Sequence, residues 1–152
     1  MVSEGSPAPD FELTTDTGDR VKLSDFRGRP VVLYFYPKDD TPGCTKQACG
    51  LRDVSDELER AGAVVLGISP DDERSHRKFK DKYGLPFTLL ADPDHEVAER
   101  YGVWGEKSYM GRTYLGVNRS TFVLDSNGTV AHVMHDVKPA THAGEVLTAL
   151  EA

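Results

Sequence analysis

The chain has 152 residues, with 18 basic against 25 acidic side chains and a formal net charge of −7 at pH 7. A surface of that sign repels nucleic acid and anionic membranes, and no stretch approaches the roughly 18 uninterrupted apolar residues of a membrane span. The length fits one domain over residues 1–152, and Met1 to Pro7 lack the basic start and apolar centre of a secretory leader, so a cytoplasmic protein is expected.

In chain order, Val21-Lys22-Leu23 reads as a short edge strand after a Thr17-Gly18-Asp19 turn. Val31 to Tyr36, β-branched or aromatic at nearly every position, reads as a strand covered on both faces. Thr41-Pro42-Gly43 reads as a turn opening a helix with apolar positions at Leu51, Val54 and Leu58, and Gly62 marks its stop. Val64 to Ile68 is a second buried strand. Ser69 to Asp72 supply caps for a polar helix reaching about Tyr83, Phe87 to Leu90 form a third core strand, and Asp94 to Tyr101 form a short helix. Gly102 to Asn118, rich in glycine and aromatics and without a clean period, reads as an irregular connection. Ser120 to Asp125 and Thr129 to Val133 spell a hairpin around Asn127-Gly128. Pro139 to Glu151 closes the chain as an amphipathic helix with Ala143, Val146, Leu147 and Leu150 on one face. This order predicts an α/β fold of thioredoxin-like type, a central mixed β-sheet flanked by helices.

The only two cysteines, Cys44 and Cys49, fall just after the first apolar strand. In a reducing compartment such a pair is more often catalytic, metal-binding or inert than a standing bridge. Cys44 lies in the expected first helical turn, where unpartnered backbone N–H groups and the helix dipole stabilise an anionic sulfur. Lowering a thiol from about 8.5 to about 6 needs roughly 3.4 kcal/mol, whereas a helix N-terminus contributes at best about 2, so a cation must help. Arg52, eight residues along the helix, points away; Arg119, at the head of an apolar strand, is the better candidate, the alternative being an ordinary solvated arginine. Five residues apart on a helix, the two cysteine Cα atoms stand roughly 8 to 9 Å apart, beyond the roughly 7 Å limit for a disulfide. Bonding them requires the helix to unwind. Gly50 either eases that unwinding or permits a close packing contact. Thr41 offers its hydroxyl to the sulfur or acts as the N-cap, and Pro37 either shields the thiolate or simply ends the strand.

Pro37-x-x-x-Thr41-x-x-Cys44 resembles the active-site signature of the peroxiredoxins, and Cys44-Thr45-Lys46-Gln47-Ala48-Cys49 followed by Leu51-Arg52-Asp53 resembles their Q-type, or bacterioferritin comigratory, subfamily. The similarity runs from about Pro7 to Leu150 and includes Ala8-Pro9-Asp10-Phe11, Arg119-Ser120-Thr121-Phe122 and Val137-Lys138-Pro139. It implies that Cys44 is the peroxidatic cysteine, attacking hydrogen peroxide or an organic hydroperoxide to give a sulfenic acid. Cys49 is then the resolving cysteine, forming an intramolecular disulfide that thioredoxin or a similar dithiol reduces. Pro37, Thr41 and Arg119 complete the site, no cofactor, metal, flavin or haem is required, and the relatives imply a monomer or weak dimer.

A thioredoxin-like thiol-disulfide oxidoreductase is the main alternative, but it normally carries Cys-x-x-Cys, and here four residues separate the thiols. A metal module would recruit His76, His95, His132, His135 or His142. His132 and His135, three apart on or near a strand, face opposite ways, and the histidines are expected at the surface. A binding protein with inert cysteines would not need Thr41 and Arg119. Trp104 is expected to anchor the core or a loop.

Overall fold

The structure, a computed structural model, describes residues 2–151. Its main sheet takes in β1 (Glu12–Thr15), β2 (Arg20–Lys22), β3 (Val31–Phe35), β4 (Val64–Ser69), β5 (Thr88–Ala91), β8 (Ser120–Leu124) and β9 (Val130–Met134), in the order β2-β1-β5-β4-β3-β8-β9. β3, β4 and β5 run parallel, while β8 pairs antiparallel with β3 and β1 antiparallel with β5. The mixed sheet is flanked by helices, as the alternation of strand and helix predicts.

β3 shows how the sequence builds the two layers. All five of its residues are buried, as a continuous β-branched and aromatic run requires when both faces are covered. Successive side chains point to opposite faces, so Val31, Leu33 and Phe35 join one cluster with α4 (Glu96–Arg100), while Val32 and Tyr34 join the other. That second face carries α1 (Pro42–Asp53), α3 (Glu73–Tyr83) and α5 (His142–Glu151), through Cys44, Ala48, Leu51, Phe79 and Val146. The cysteine helix therefore lies directly on the sheet.

The structure corrects several expectations. The stretch read as an irregular connection is an antiparallel pair, β6 (Trp104–Tyr109) and β7 (Arg112–Val117), closed by the two-residue turn Met110-Gly111 with both residues at positive φ. Most of its residues face solvent, so no apolar alternation marks it. The helix expected to run from the cysteines to Gly62 breaks at Val54 into α1 and a short α2 (Ser55–Arg60). The edge strand ends at Lys22, Leu23 opens a single 3-10 turn, and β1 went unanticipated because its Glu-Leu-Thr-Thr sequence is polar and half-exposed. The last helix begins at His142, three residues after Pro139.

Gly67 of β4 marks a close approach. A Cβ there would lie 2.8 Å from Tyr34 Cζ and 2.9 Å from Leu89 Cδ2. The Tyr34 ring has little room to move, being stacked on Tyr36 and edge-on to Phe87. Gly67→Ala is expected to destabilise the fold by about 1–3 kcal/mol in urea unfolding, through overpacking; an unchanged midpoint would contradict this packing.

Candidate active site

The site begins where β3 ends. Pro37, half-buried, leads a loop that α3 holds from the side. Asp39 is buried; its carboxylate accepts from Tyr36 Oη (2.6 Å), Ser75 Oγ (2.7 Å) and His76 Nδ1 (2.7 Å). The Asp39 amide donates to Asp71, whose carboxylate also accepts from Ser69 Oγ. Asp40 sits at φ 57°, in a left-handed conformation that Asp tolerates, with its carboxylate on Lys82 Nζ and Tyr83 Oη, both at 2.8 Å. Asp39, Asp71 and His76 are the one group of metal-type ligands brought together among the described residues, yet their ligand atoms are engaged by the protein's own donors and acceptors.

His76 corrects the expectation of surface histidines. It is fully buried, and its Nε2 faces the Leu90 carbonyl at 2.9 Å while Nδ1 faces Asp39. Burial alone would lower its pKa, but the hydrogen bond and charge of Asp39 outweigh it and hold the imidazolium above its ordinary range.

α1 opens at Thr41, the N-cap, with Pro42 at the first helical position. The Thr41 hydroxyl does not cap the helix; it donates instead to the Lys38 carbonyl at 2.9 Å. Of the two readings of Thr41, the N-cap is thus correct for position and not for the side-chain bond. The amides of the first turn, that of Cys44 included, therefore have no side-chain cap. Cys44 is only 2% exposed, Cys49 is half-buried, and both are free thiols on the same intact helix. Arg52 turns away to Asp53 and the Tyr83 carbonyl.

Arg119 enters from the link between β7 and β8. Its Nη2 donates to Cys44 Sγ at 3.3 Å and its Nη1 donates to Gln47 Oε1, one turn further along α1. The approach needs Gly43: a Cβ there would sit 3.1 Å from Arg119 Nη2. Gly50 is different, since a Cβ would meet only Ala143 Cβ at an ordinary 3.7 Å, so packing does not require glycine at that position. Gln47 continues to His142, whose Nδ1 lies 3.2 Å from Gln47 Nε2 and whose Nε2 lies 2.8 Å from Thr121 Oγ1. His142 is the second buried histidine that the surface expectation missed. Burial and, after it, the charge of Arg119 push its pKa down to about 4. Lys107 of β6 donates to the Val117 carbonyl, and burial followed by the charge of Arg119 lowers its pKa.

Both missed histidines left a trace in the sequence. His76, Phe79 and Tyr83 form an i, i+3, i+7 stripe, and His142 stands four residues before Val146 on the inward face of the last helix. Gln47 likewise shares the face of Cys44 at i+3. Trp104 does pack on the core and stacks flat on His95, with ring centroids 3.8 Å apart.

Sequence comparison places this chain, with its helical thiols and Arg119, in a known family. Residues 5–133 fit the AhpC/TSA family. The chain belongs to that family. It is 52% identical to peroxiredoxin Bcp of Escherichia coli over 150 residues, covering 99% of this chain and 96% of the relative. Its structure superimposes with a TM-score of 0.88 on the Xanthomonas campestris bacterioferritin comigratory protein, characterised for alkyl peroxide reduction, at 38% identity and coverage of 93% and 90%. For a cysteine mutant of Xylella fastidiosa PrxQ the TM-score is 0.93, at 31% identity and coverage of 99% and 96%. These neighbours are thioredoxin-fold peroxiredoxins, which agrees with the predicted fold class.

Two outcomes follow from this geometry. The folded His76 pKa lies above that of the unfolded chain, so its contribution to stability is complete below about pH 6.5 and is lost as pH rises through the folded value. The stability gap between wild type and His76→Asn in urea should therefore shrink as pH rises above about 6.5; a constant or widening gap would contradict the buried ion pair. Arg119→Ala should slow alkylation of Cys44 at neutral pH by about tenfold, and an unchanged rate would remove the guanidinium from the account.

Proposed function

We propose that the protein is a thiol-dependent peroxidase in which Cys44 reduces hydrogen peroxide or an organic hydroperoxide and Cys49 resolves the product. The observation that carries this reading is the Arg119 guanidinium 3.3 Å from Cys44 Sγ at the opening of α1, with Cys49 on the same helix.

The Cys44 thiolate attacks the terminal peroxide oxygen. An S–O bond forms as the O–O bond breaks, the electron pair leaves on the distal oxygen, and that oxygen takes a proton to depart as water or alcohol. Sulfur is oxidised by two electrons to a sulfenic acid. The Cys44 amide and Arg119 donate to the oxygens, stabilising the charge that develops on the leaving atom. Thr41, whose hydroxyl proton is committed to the Lys38 carbonyl, keeps lone pairs for the peroxide O–H. Pro37 walls the site from water.

Cys49 thiolate then attacks the Cys44 sulfur and expels hydroxide, which leaves as water once protonated. A disulfide remains. Because α1 holds the two Cα atoms roughly 8 to 9 Å apart, this step requires α1 to unwind. A dithiol, thioredoxin by family analogy, returns two electrons and restores both thiols. The scheme uses no metal, flavin or haem. The net charge of −7 disfavours nucleic acid and anionic membrane as partners, and no helix among the described residues is long and apolar enough to cross a membrane. A cytoplasmic, single-domain monomer or weak dimer completes the proposal.

In a coupled assay with thioredoxin, thioredoxin reductase and NADPH, wild type should consume peroxide and Cys44→Ser should not. Cys49→Ser should accumulate a sulfenic acid that a dimedone-type probe traps on Cys44. Peroxide turnover by Cys44→Ser, or insulin reduction by wild type without any peroxide, would contradict the assignment.

A further inference from the structure

The hydrogen bonds around Arg119 settle a chain of donors and acceptors. A guanidinium only donates, so the Gln47 atom facing Arg119 is its carbonyl oxygen. Gln47 Nε2 therefore faces His142 and can only donate to it. His142 Nδ1 must then carry a lone pair, which leaves its proton on Nε2, directed at Thr121 Oγ1. His142 is fully buried, with Gln47 and Thr121 as the partners of its two ring nitrogens.

We propose that His142 is a positioning residue for the Cys44 site: as a neutral imidazole protonated on Nε2, it fixes the facing of the Gln47 amide and so holds Arg119 on the sulfur. The proposal rests on the peroxidase reading above, which supplies the reason the guanidinium must stay there. Protonating Nδ1 would set two N–H groups face to face. Turning the amide over to relieve them would present its NH2 to the guanidinium and break the bond to Arg119.

The groups around the ring are consistent with this state. From the link before β8, Arg119 brings a positive charge that acts on the ring; from α1 comes Gln47, from β8 Thr121, and from β3 the Tyr34 ring, 6.0 Å away. Glu145, on the helix of His142 itself, turns to the Thr141 hydroxyl and is exposed. Among the described residues no carboxylate bonds to either ring nitrogen to offset the burial and the Arg119 charge that lower its basicity. Gln47 also stands between Cys44 and Cys49 in α1, so unwinding for the disulfide separates it from His142, and refolding must re-form the chain.

The test is nitrogen NMR of the His142 ring in the reduced protein at about pH 6, paired with peroxide kinetics. Wild type should show a neutral ring protonated on Nε2. Gln47→Glu, an acceptor at both oxygens, should convert His142 to imidazolium at that pH, an outcome that mere packing would not produce. In the Cys49→Ser background, His142→Leu should slow oxidation of Cys44 by hydrogen peroxide about tenfold, and His142→Asn, whose Oδ1 replaces the Nδ1 lone pair, should recover most of the rate. A wild-type ring that is charged or protonated on Nδ1, a ring still neutral in Gln47→Glu, or equal rates for the Leu and Asn variants would overturn the positioning role. Cys44 inert to peroxide in wild type would instead overturn the peroxidase reading, whatever the tautomer.

Discussion

One continuous helix carries both cysteines, and that constraint organises the protein. While α1 is wound, Cys44 sits in its first turn beside unpartnered amides, and Cys49 is held beyond bonding distance on the same rod. The conformation that prepares the sulfur for attack is therefore also the one that forbids the bond completing the proposed cycle. In the proposed cycle, a sulfenic acid on Cys44 has to wait for the helix to open.

The surroundings of α1 divide into a fixed side and a releasable side. Upstream, Asp39 and Asp40 bind the approach loop to α3 through His76, Ser75, Lys82 and Tyr83. Downstream, Cys44 and Gln47, one turn apart on α1, are both tied to Arg119, and Gln47 is tied to His142, so these bonds lie on the segment that the proposed disulfide would unwind. Gly50 fits this division. Its neighbour Ala143 would accommodate a methyl group, so glycine there is not demanded by packing, and a helix interior containing it is weaker than one with alanine by about 1 kcal/mol.

Much of this was legible in the sequence because it rests on local chemistry. The buried β3, the turn at Thr41-Pro42-Gly43 and the two thiols on one helix follow from periodicity and spacing, and Arg119 follows from the need for a cation that Arg52 points away from. What escaped was set by tertiary partners. The β6–β7 pair is solvated over most of its length, so its strands show no apolar alternation, and only Gly111 hinted at the turn. His76 and His142 look like surface residues one at a time. Their burial is decided by Asp39 and Gln47, which lie 37 and 95 residues away in the chain. Thr41 holds the expected position, but its hydroxyl turns to Lys38 and leaves the first helical turn without a side-chain cap.

Amide hydrogen exchange on the reduced and the peroxide-oxidised protein tests the central claim most directly, because it reads helix and loop separately. The account predicts that, once the disulfide has formed, the amides from Thr45 to Leu51 lose protection while Leu33 to Phe35 and the Asp39 amide keep theirs. A Cys44–Cys49 disulfide formed with those α1 amides still protected would contradict it.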